Sequence, residues 1–276
     1  MKKFEGILIC TDLDGTLLRN DRSISRENLE AIAYFQREGG YFTFVTGRMP
    51  FYAAHLYDAI QPNAPVGCIN GGGVYDYRTQ RYLWTASLPA DVMDLVEAAE
   101  LGIEGLGIQV NTFDTVCFCK DSPAMQIFRR NKGMPSRECH YREVDEPIAK
   151  IVFADEDEAH ITRLAELLQA HPRAGEFDFI RSEKTLYEIL PKGIHKGVPL
   201  TKLTELLGLD ISRTVAIGDY NNDIGMLRAA GVGIAVANAV PEVLEVADHI
   251  TVSNEEHAIA RIISDLEDGV LQFPCS

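Results

Sequence analysis

The sequence predicts an α/β protein in which a doubly wound parallel sheet is interrupted by an inserted α+β domain. Residues 1–70 alternate short apolar runs of strand length with amphipathic stretches, which is the pattern of βαβ units. Between 85 and 190, helical patterns are interspersed with paired strand-like runs, and the βα alternation returns after 190. We therefore expect a core domain formed by 1–84 and 190–276, with 85–189 inserted between its halves.

The first predicted strand is the apolar run GILICT at 6–11, because strands buried on both faces of a parallel sheet contain few polar residues. Ser25 is the expected N-cap of the following helix, and Gly39 and Gly40 end that helix. The next predicted elements are a strand at 41–47, a helix at 49–60, a strand at 65–70 and a hairpin at 74–84. The βαβαβ order predicts parallel strands joined by right-handed crossovers.

The inserted domain contains both helix-like and strand-like patterns of apolar residues. Its predicted helices lie at 91–102, 123–133 and 156–172, and its predicted strands at 107–112, 115–120, 149–155, 177–182 and 185–190. In the second half of the core, helices are predicted at 195–209, 221–231, 240–250 and 255–269, and strands at 213–219 and 232–238.

Composition excludes several classes of partner. The chain has 26 Lys and Arg against 41 Asp and Glu, a net charge of -15, whereas nucleic-acid binders and proteins that dock on anionic membranes need a basic surface. No apolar run approaches the length of a membrane span. We therefore expect a cytoplasmic protein without nucleic-acid or membrane partners. The sequence does not indicate its oligomeric state.

The six cysteines show no disulfide framework, and a chain of this length does not need one to fold. Cys117 and Cys119 are two residues apart on a strand-like pattern, so they share one face of the strand. A zinc site that also uses Cys139 and His140 is one interpretation. Buried thiols that act as small apolar side chains are the favoured alternative.

Two carboxylates, Asp12 and Asp14, directly follow the first predicted strand and precede Gly15. In open parallel sheets, ligands bind outside the carboxyl ends of the strands. An acidic turn that merely caps the strand is the structural alternative. An EF-hand calcium loop is excluded, because the twelfth position counted from Asp12 is Ser23 rather than Glu.

The next predicted strand ends in Thr46 and Gly47, and a hydroxyl with a free backbone N–H suits a phosphoryl oxygen. Lys196 lies near the start of a predicted helix, although a single lysine is usually a solvated surface charge. Another predicted strand is followed by Asp219, Asn222 and Asp223. Helix capping by Asp219 would explain that last group without any ligand.

The four segments together are more informative than each alone. A doubly wound sheet brings Asp12, Asp14, Asp219 and Asp223 to one edge, where they would repel one another and raise their pKa values. A divalent cation and Lys196 would offset that charge. Oxygen ligands at an open site favour Mg²⁺, which binds through one or two carboxylates and a substrate phosphate. Positioning and charge stabilisation of this kind are what phosphoryl transfer requires.

These motifs, DLDGT, TGR, HKG and GDYNND, are found in this order with a domain-sized insert between the second and third. In this respect the chain resembles the haloacid dehalogenase superfamily, and within it the Cof-like phosphatases that carry a large α/β cap. The resemblance implies a Rossmann-like core and an Mg²⁺-dependent phosphatase that hydrolyses small phosphate monoesters through an aspartyl-phosphate. It also implies that the inserted domain, 85–189, is a cap that determines substrate specificity.

The resemblance further assigns roles to the carboxylates. Asp12 would be the nucleophile and an Mg²⁺ ligand. Asp14 would be the general acid and base, and would also bind Mg²⁺ through its backbone carbonyl. Asp219 would complete the protein ligands, and Asp223 would orient the groups around the metal.

The phosphoryl group would be held by the backbone of Leu13 and by Thr46, Gly47, Lys196 and Asn222. Asn70 matches an Asn-Gly motif beside the site in the family but receives no role here. The following GGG at 71–73 departs from the usual Gly-Ala, which affects the flexibility of the loop more than its chemistry.

Two further functions remain open: a phosphomutase of the same superfamily and a non-catalytic sensor of sugar phosphates. A carbon–halogen dehalogenase would have no use for Asp14, and a phospho-receiver domain needs neither Asp14 nor an insert. The sequence does not name the substrate. Arg181 and Glu188 are candidates for a substrate crevice, or else a solvated surface pair.

Overall fold

The computed structural model describes residues 2–129 and 134–274, which form two compact units. One unit runs to Trp84 and resumes at His195, and the other comprises Thr85–Ile194.

The first unit contains short strands and amphipathic helices in the order expected for an α/β core. Its strands are β1 (Leu8–Thr11), β2 (Tyr41–Phe44), β3 (Val66–Cys68), β4 (Gly73–Asp76), β5 (Arg81–Thr85, whose last residue lies in the second unit), β12 (Thr214–Gly218), β13 (Val232–Ala235) and β14 (His249–Ile250). Its helices are α1 (Arg26–Arg37), α2 (Pro50–Ile60), α6 (Gly197–Leu207), α7 (Ile224–Ala229), α8 (Pro241–Val246) and α9 (Ala258–Glu267).

A five-stranded sheet in the order β14-β13-β12-β1-β2 forms the centre of this unit, and its neighbouring strands pair in parallel. Alternate residues of β1 pack on opposite sides. Ile9 belongs to an apolar cluster with Phe35 of α1 and Ile262 of α9, whereas Leu8 packs in another with Leu200 of α6. The sheet is therefore covered by helices on both faces, which confirms the predicted doubly wound α/β class.

Contrary to the prediction, the third strand does not extend this sheet. β3 pairs with β4 in a separate three-stranded sheet of order β3-β4-β5, and the β3–β4 pairing is antiparallel. It meets the end of β2 at a single parallel bridge between Val45 and Gly67. β3 has only three residues, so it offers too few backbone groups to pair fully along both edges.

The second unit is an α+β module. Its strands are β6 (Gly107–Thr112), β7 (Val116–Lys120), β8 (Ser136–Glu138), β9 (Ile148–Ala154), β10 (Phe177–Glu183) and β11 (Leu186–Pro191). Its helices are α3 (Met93–Gly102), α4 (Gln126–Arg129) and α5 (Glu158–Gln169). The helix predicted at 123–133 starts as a 3₁₀ turn before α4, and its last residues, 130–133, lie outside the described part of the chain.

One six-stranded sheet, in the order β10-β11-β9-β6-β7-β8, organises this unit. Its pairs are antiparallel except for β7 with β8. Val110, Ile151 and Ile189 face the helices and form an apolar cluster with residues such as Leu95 of α3 and Leu164 of α5. Since side chains alternate along a strand, the neighbouring residues of β6, β9 and β11 face away from α3 and α5.

Cys117 packs within this helix-side cluster, and Cys119 and Cys139 lie at its margin. Burial raises the pKa of the Cys117 thiol to about 11 and that of Cys119 to about 12. These thiols are protonated at neutral pH, as expected for cysteines that serve as small apolar side chains. Over the described ranges, no helix is long and apolar enough to cross a membrane.

Candidate functional site

The carboxyl ends of β1 and β12 meet at one edge of the parallel sheet. Asp12 directly follows β1, and its backbone N–H donates to the carbonyl of Ile217 on β12 at 2.8 Å. Asp219 directly follows β12. Because the two strands are neighbours and parallel, both aspartates lie at the same edge, which is where parallel sheets bind ligands.

Lys196 connects two of the acidic segments. It immediately precedes α6 and is only 2% exposed. Its Nζ donates to Asp12 Oδ1 at 2.5 Å and to Asp223 Oδ1 at 2.6 Å. Burial by itself lowers the pKa of this amine, but the two carboxylates more than offset that effect and raise it. The lysine therefore stays charged at the centre of the site rather than at the surface.

Asp223 is also held by backbone groups of the segment that follows β12. Its Oδ2 accepts hydrogen bonds from the backbone N–H groups of Asp219 and Tyr220, each at 3.0 Å. A Cβ atom at Gly218 would come within 2.4 Å of the Asp223 side chain, so this position admits only glycine without a shift. The sequence allowed Asp219 to be a simple helix cap, but the carboxylate that accepts the backbone N–H groups here is that of Asp223.

Asp219 is oriented by the loop that follows β1. The Thr16 hydroxyl donates to its Oδ1 at 2.7 Å. Gly15 has a φ of +83°, and a Cβ there would lie 2.5 Å from Asp219 Oδ2. The glycine of the DLDGT motif thus provides both the left-handed backbone and the space that this carboxylate occupies.

Three carboxylates form a candidate metal site. Ligand oxygens of Asp12, Asp219 and Asp223 all lie within 4.8 Å of one another, and among residues 2–129 and 134–274 no other group of three His, Cys, Asp or Glu side chains is so arranged. A zinc site built on Cys117 and Cys119 is therefore not supported by the described residues. A divalent cation fits the three-carboxylate cluster, since hard ions prefer oxygen ligands.

Burial and the neighbouring carboxylates make ionisation of Asp12 and Asp219 unfavourable. Burial raises the pKa of Asp12 well above its usual value; Lys196 lowers it, while Asp223 and Asp219 raise it. Burial, and then Asp223, raise the pKa of Asp219 to about 6. A bound cation would remove the penalty that burial and mutual repulsion place on the ionised forms.

Thr46, Gly47 and Asn222 are joined through Asn70, a residue to which the sequence assigned no role. Asn222 Nδ2 donates to Asn70 Oδ1 at 3.1 Å, and a Cβ at Gly47 would lie 2.7 Å from that same oxygen. The Asn70 backbone N–H donates to the Thr46 carbonyl at 3.1 Å. Asn70 has a φ of +51°, a conformation that asparagine tolerates better than most residues, and it thereby links three predicted phosphate-binding residues.

Leu13 is fully buried, and its carbonyl accepts from the N–H of Leu18 at 2.8 Å.

Asp14 lies outside the buried network, with its side chain 53% exposed. Arg48 holds it in a two-point contact, with Nε 2.9 Å from Oδ2 and Nη2 2.6 Å from Oδ1. Arg48 belongs to the TGR motif and was not assigned a role from the sequence. Its position two residues after Thr46, in the same motif, was the feature of the sequence that could have indicated a role at the site.

Arg181 and Glu188 do not form the surface pair considered from the sequence. Arg181 donates to the carbonyl of Lys184 at 2.8 Å and approaches Glu158. Glu188 is buried and pairs with Lys150 at 2.8 Å. The two residues therefore have separate environments within the second unit.

Comparisons with known proteins point to one family of hydrolases. Residues 9–263 match the family model of haloacid dehalogenase-like hydrolases. The chain is 31% identical over 269 residues to the putative phosphatase YxeH of Bacillus subtilis (strain 168), covering 94% of this chain and 97% of that protein. It is 27% identical over 263 residues to the 5-amino-6-(5-phospho-D-ribitylamino)uracil phosphatase YitU of the same organism, covering 94% and 96%.

A solved haloacid dehalogenase-like hydrolase from Bacteroides thetaiotaomicron has the same fold. It superposes with a TM-score of 0.82 at 27% identity, covering 95% of this chain and 100% of that one. The match extends over both units, so the inserted module is common to the two proteins.

Proposed function

Because the chain belongs to the haloacid dehalogenase-like hydrolases and is a phosphatase of that family, we propose that it hydrolyses small phosphate monoesters through phosphorylated Asp12, with Mg²⁺ bound at the aspartate cluster. The observation that carries this proposal is the buried network in which Lys196 bridges Asp12 and Asp223 beside Asp219. A carboxylate nucleophile divides a slow hydrolysis into two easier displacements.

In the first displacement, a carboxylate oxygen of Asp12 forms a bond to phosphorus and the ester oxygen leaves. Asp14 gives that oxygen its proton. In the second, Asp14 takes a proton from water, the water oxygen bonds to phosphorus, and the bond to Asp12 breaks to release inorganic phosphate. Lys196 holds the Asp12 carboxylate in place, and its charge faces the phosphoryl oxygens that Thr46, Gly47, Asn222 and the Leu13 backbone would bind.

Asp12, Asp219 and the backbone carbonyl of Asp14 would hold Mg²⁺, with Asp223 orienting the groups around it. A bound Mg²⁺ would neutralise charge on the carboxylates and on the phosphoryl oxygens. The three close carboxylate oxygens and the raised pKa values of Asp12 and Asp219 support this assignment.

The names of the relatives support a substrate class. A relative that covers nearly the whole chain is named for a phosphorylated ribitylamino-uracil. We infer that this chain also acts on a small phosphorylated metabolite, a sugar or polyol phosphate or a related heterocyclic compound. We further infer that the second unit determines which one, in keeping with its predicted role as a specificity domain.

The direct test is phosphate release from p-nitrophenyl phosphate and from a library of small phosphate monoesters, with Mg²⁺ or with excess chelator. We expect release with Mg²⁺ and none with chelator. Full activity in chelator would contradict the site. Transfer between sugar positions that needs a bisphosphate activator and releases no phosphate would instead identify a phosphomutase, and binding without turnover would identify a sensor.

Metal binding should also be visible without turnover. Mg²⁺ is expected to raise Tm at pH 7.5, because a ligand at about 100 times its Kd stabilises the folded state by about 2.7 kcal/mol. The rise should be smaller at pH 5 than at pH 7.5, because burial and Asp223 raise the pKa of Asp219 to about 6 and protons compete with the metal for this carboxylate below that pH. Differential scanning calorimetry at the two pH values measures both results. Asp219→Asn should lose the Mg²⁺-dependent rise, and a rise that persists in it would place the metal elsewhere.

Arg48 is expected to act as a positioning residue for Asp14. Arg48→Ala should lower kcat about tenfold with little change in KM for p-nitrophenyl phosphate or in the Mg²⁺-dependent rise in Tm, because its contacts are to Asp14 and not to the buried cluster. Arg48→Lys should recover only part of the loss, since an ammonium cannot make the two-point contact. Arg78→Ala, which removes an exposed guanidinium that pairs with Asp76 and makes no contact with Asp14, is the control. An unchanged kcat in Arg48→Ala would contradict this role.

A further inference from the structure

The loop that follows Asp14 is held by a segment far away along the chain. Asn238, shortly after β13, donates from Nδ2 to the backbone carbonyl of Gly15 at 2.8 Å. Its Oδ1 accepts from the backbone N–H of Asn254 at 2.9 Å. Because the amide has its donor and its acceptor on different atoms, only one orientation of the side chain makes both bonds. One side chain thus connects the turn of the DLDGT motif to the segment after β14.

Asn254 holds the same loop a few residues further on. It is only 3% exposed. Its Nδ2 donates to the Leu18 carbonyl at 2.9 Å and lies 3.3 Å from Asn20 Oδ1. The neighbouring Glu255 accepts through Oε1 from the backbone N–H of Asn20 at 2.7 Å. The loop is therefore fixed at its start and at its end by side chains from one distant part of the chain.

The loop needs such support where it passes the aspartates. Gly15 has a φ of +83°, and glycine has more torsional freedom than any other residue. The Asp14 carbonyl, which we propose as a metal ligand, belongs to the peptide group before Gly15. Thr16, which follows it, donates from its hydroxyl to Asp219 at 2.7 Å. A hydrogen bond that fixes the Gly15 carbonyl therefore limits rotation on both sides of the glycine.

Resting on the phosphatase function proposed above, we propose that Asn238 and Asn254, which we call the asparagine clamp, are positioning residues for the metal site. The clamp fixes loop 15–20, and through that backbone it sets the Asp14 carbonyl and the Thr16 hydroxyl that orients Asp219. Groups that orient metal ligands from outside typically contribute about 10–100-fold to metal affinity or activity.

The test measures Mg²⁺ binding to the folded full-length protein without substrate, by isothermal titration calorimetry. Asn238→Ala and Asn254→Ala should each raise the Kd for Mg²⁺ about tenfold. The Mg²⁺ concentration that gives half-maximal release from p-nitrophenyl phosphate should rise by the same factor, while KM for that substrate at saturating Mg²⁺ stays within about twofold. A general loss of stability would not produce this split, because it leaves both constants of the folded protein unchanged.

Asn63→Ala is the matched control. Asn63 is exposed, as Asn238 is, and it also joins two backbone groups. Its Nδ2 donates to the Gly40 carbonyl at 3.0 Å, and its Oδ1 accepts from the Phe42 N–H at 2.8 Å. These contacts lie at the amino end of β2, whereas the aspartates follow the carboxyl ends of their strands. Asn63→Ala should lower Tm about as much as Asn238→Ala does and leave the Kd for Mg²⁺ within about twofold.

The exposed position of Asn238 keeps the test decisive if Asn254→Ala does not fold. An unchanged Kd for Mg²⁺ in the folded clamp variants, or an equal rise in Asn63→Ala, would overturn the inference and leave the phosphatase function intact. A wild-type protein that neither binds Mg²⁺ nor releases phosphate would remove the proposed function and the inference with it.

Discussion

Asp12→Asn is expected to abolish phosphate release, with a loss of at least about 10⁴-fold in kcat for p-nitrophenyl phosphate, because an amide cannot replace the carboxylate as a nucleophile. The variant should also form no covalent phosphoenzyme. The fold should survive, since Asn has the same shape and Lys196 keeps its contact with Asp223 at 2.6 Å. Steady-state phosphate release and intact mass after acid quench measure the two effects.

The control for this variant is Asp58→Asn, the same change at an exposed position on α2 in the same unit. It should retain wild-type turnover. If Asp12→Asn remained active, or if a phosphoryl group were found on it, the nucleophile would be another residue and the role of the buried network would need a new explanation.

The positions of Asp12 and Asp219 at the ends of their strands could be predicted from the sequence. Asp12 and Asp219 each follow an unbroken apolar run, and two such runs in a parallel sheet must end at the same edge. Their proximity therefore followed from local pattern and topology. The Gly15 turn followed in the same way, because a carboxylate loop that returns sharply after a strand needs a residue that accepts positive φ.

The joint pattern of the motifs predicted that Lys196 lies beside the aspartates, but the sequence did not specify which carboxylates it contacts or that it is buried. A single lysine near a helix start is normally solvated, and its burial depends on Asp12 and Asp223, which are 184 and 27 residues away along the chain. The contact of Asn70 with Asn222 and that of Arg48 with Asp14 arise in the same way. Pairwise geometry between distant segments determines these roles, and periodicity carries no information about it.

The ion pair between Lys150 and Glu188 lies between these cases. Lys150 and Glu188 interrupt strands that are otherwise apolar on both faces, and a charged residue in such a run signals a buried partner. Of these two positions, the sequence singled out only Glu188, with Arg181 as its candidate partner. It could not pair Lys150 with Glu188, because the pairing depends on β9 and β11 being neighbours in the sheet. The short strand β3 shows the same limit, since its partner was set by the hairpin that follows and not by its apolar pattern.

Asp14→Asn is expected to behave differently from Asp12→Asn, because Asp14 lies outside the network of Lys196 and contacts Arg48 instead. The nucleophile and the three-carboxylate cluster remain intact in this variant. With p-nitrophenyl phosphate the leaving group needs little protonation, so the first displacement should proceed. The second displacement still needs a base for the attacking water, a contribution typically worth about 10²–10⁴-fold. Covalent phosphate should therefore accumulate on Asp12.

Rapid acid quench followed by intact mass and peptide mapping measures this intermediate. The double variant with both Asp12→Asn and Asp14→Asn is the matched control and should carry no phosphate, since it lacks the nucleophile but keeps the altered Asp14 position. An alkyl phosphate offers a second comparison: its poor leaving group requires the missing acid, so Asp14→Asn should neither turn it over nor become labelled by it. Normal turnover by Asp14→Asn, or a phosphoryl group that maps to another residue, would show that the two aspartates do not divide the reaction in this way.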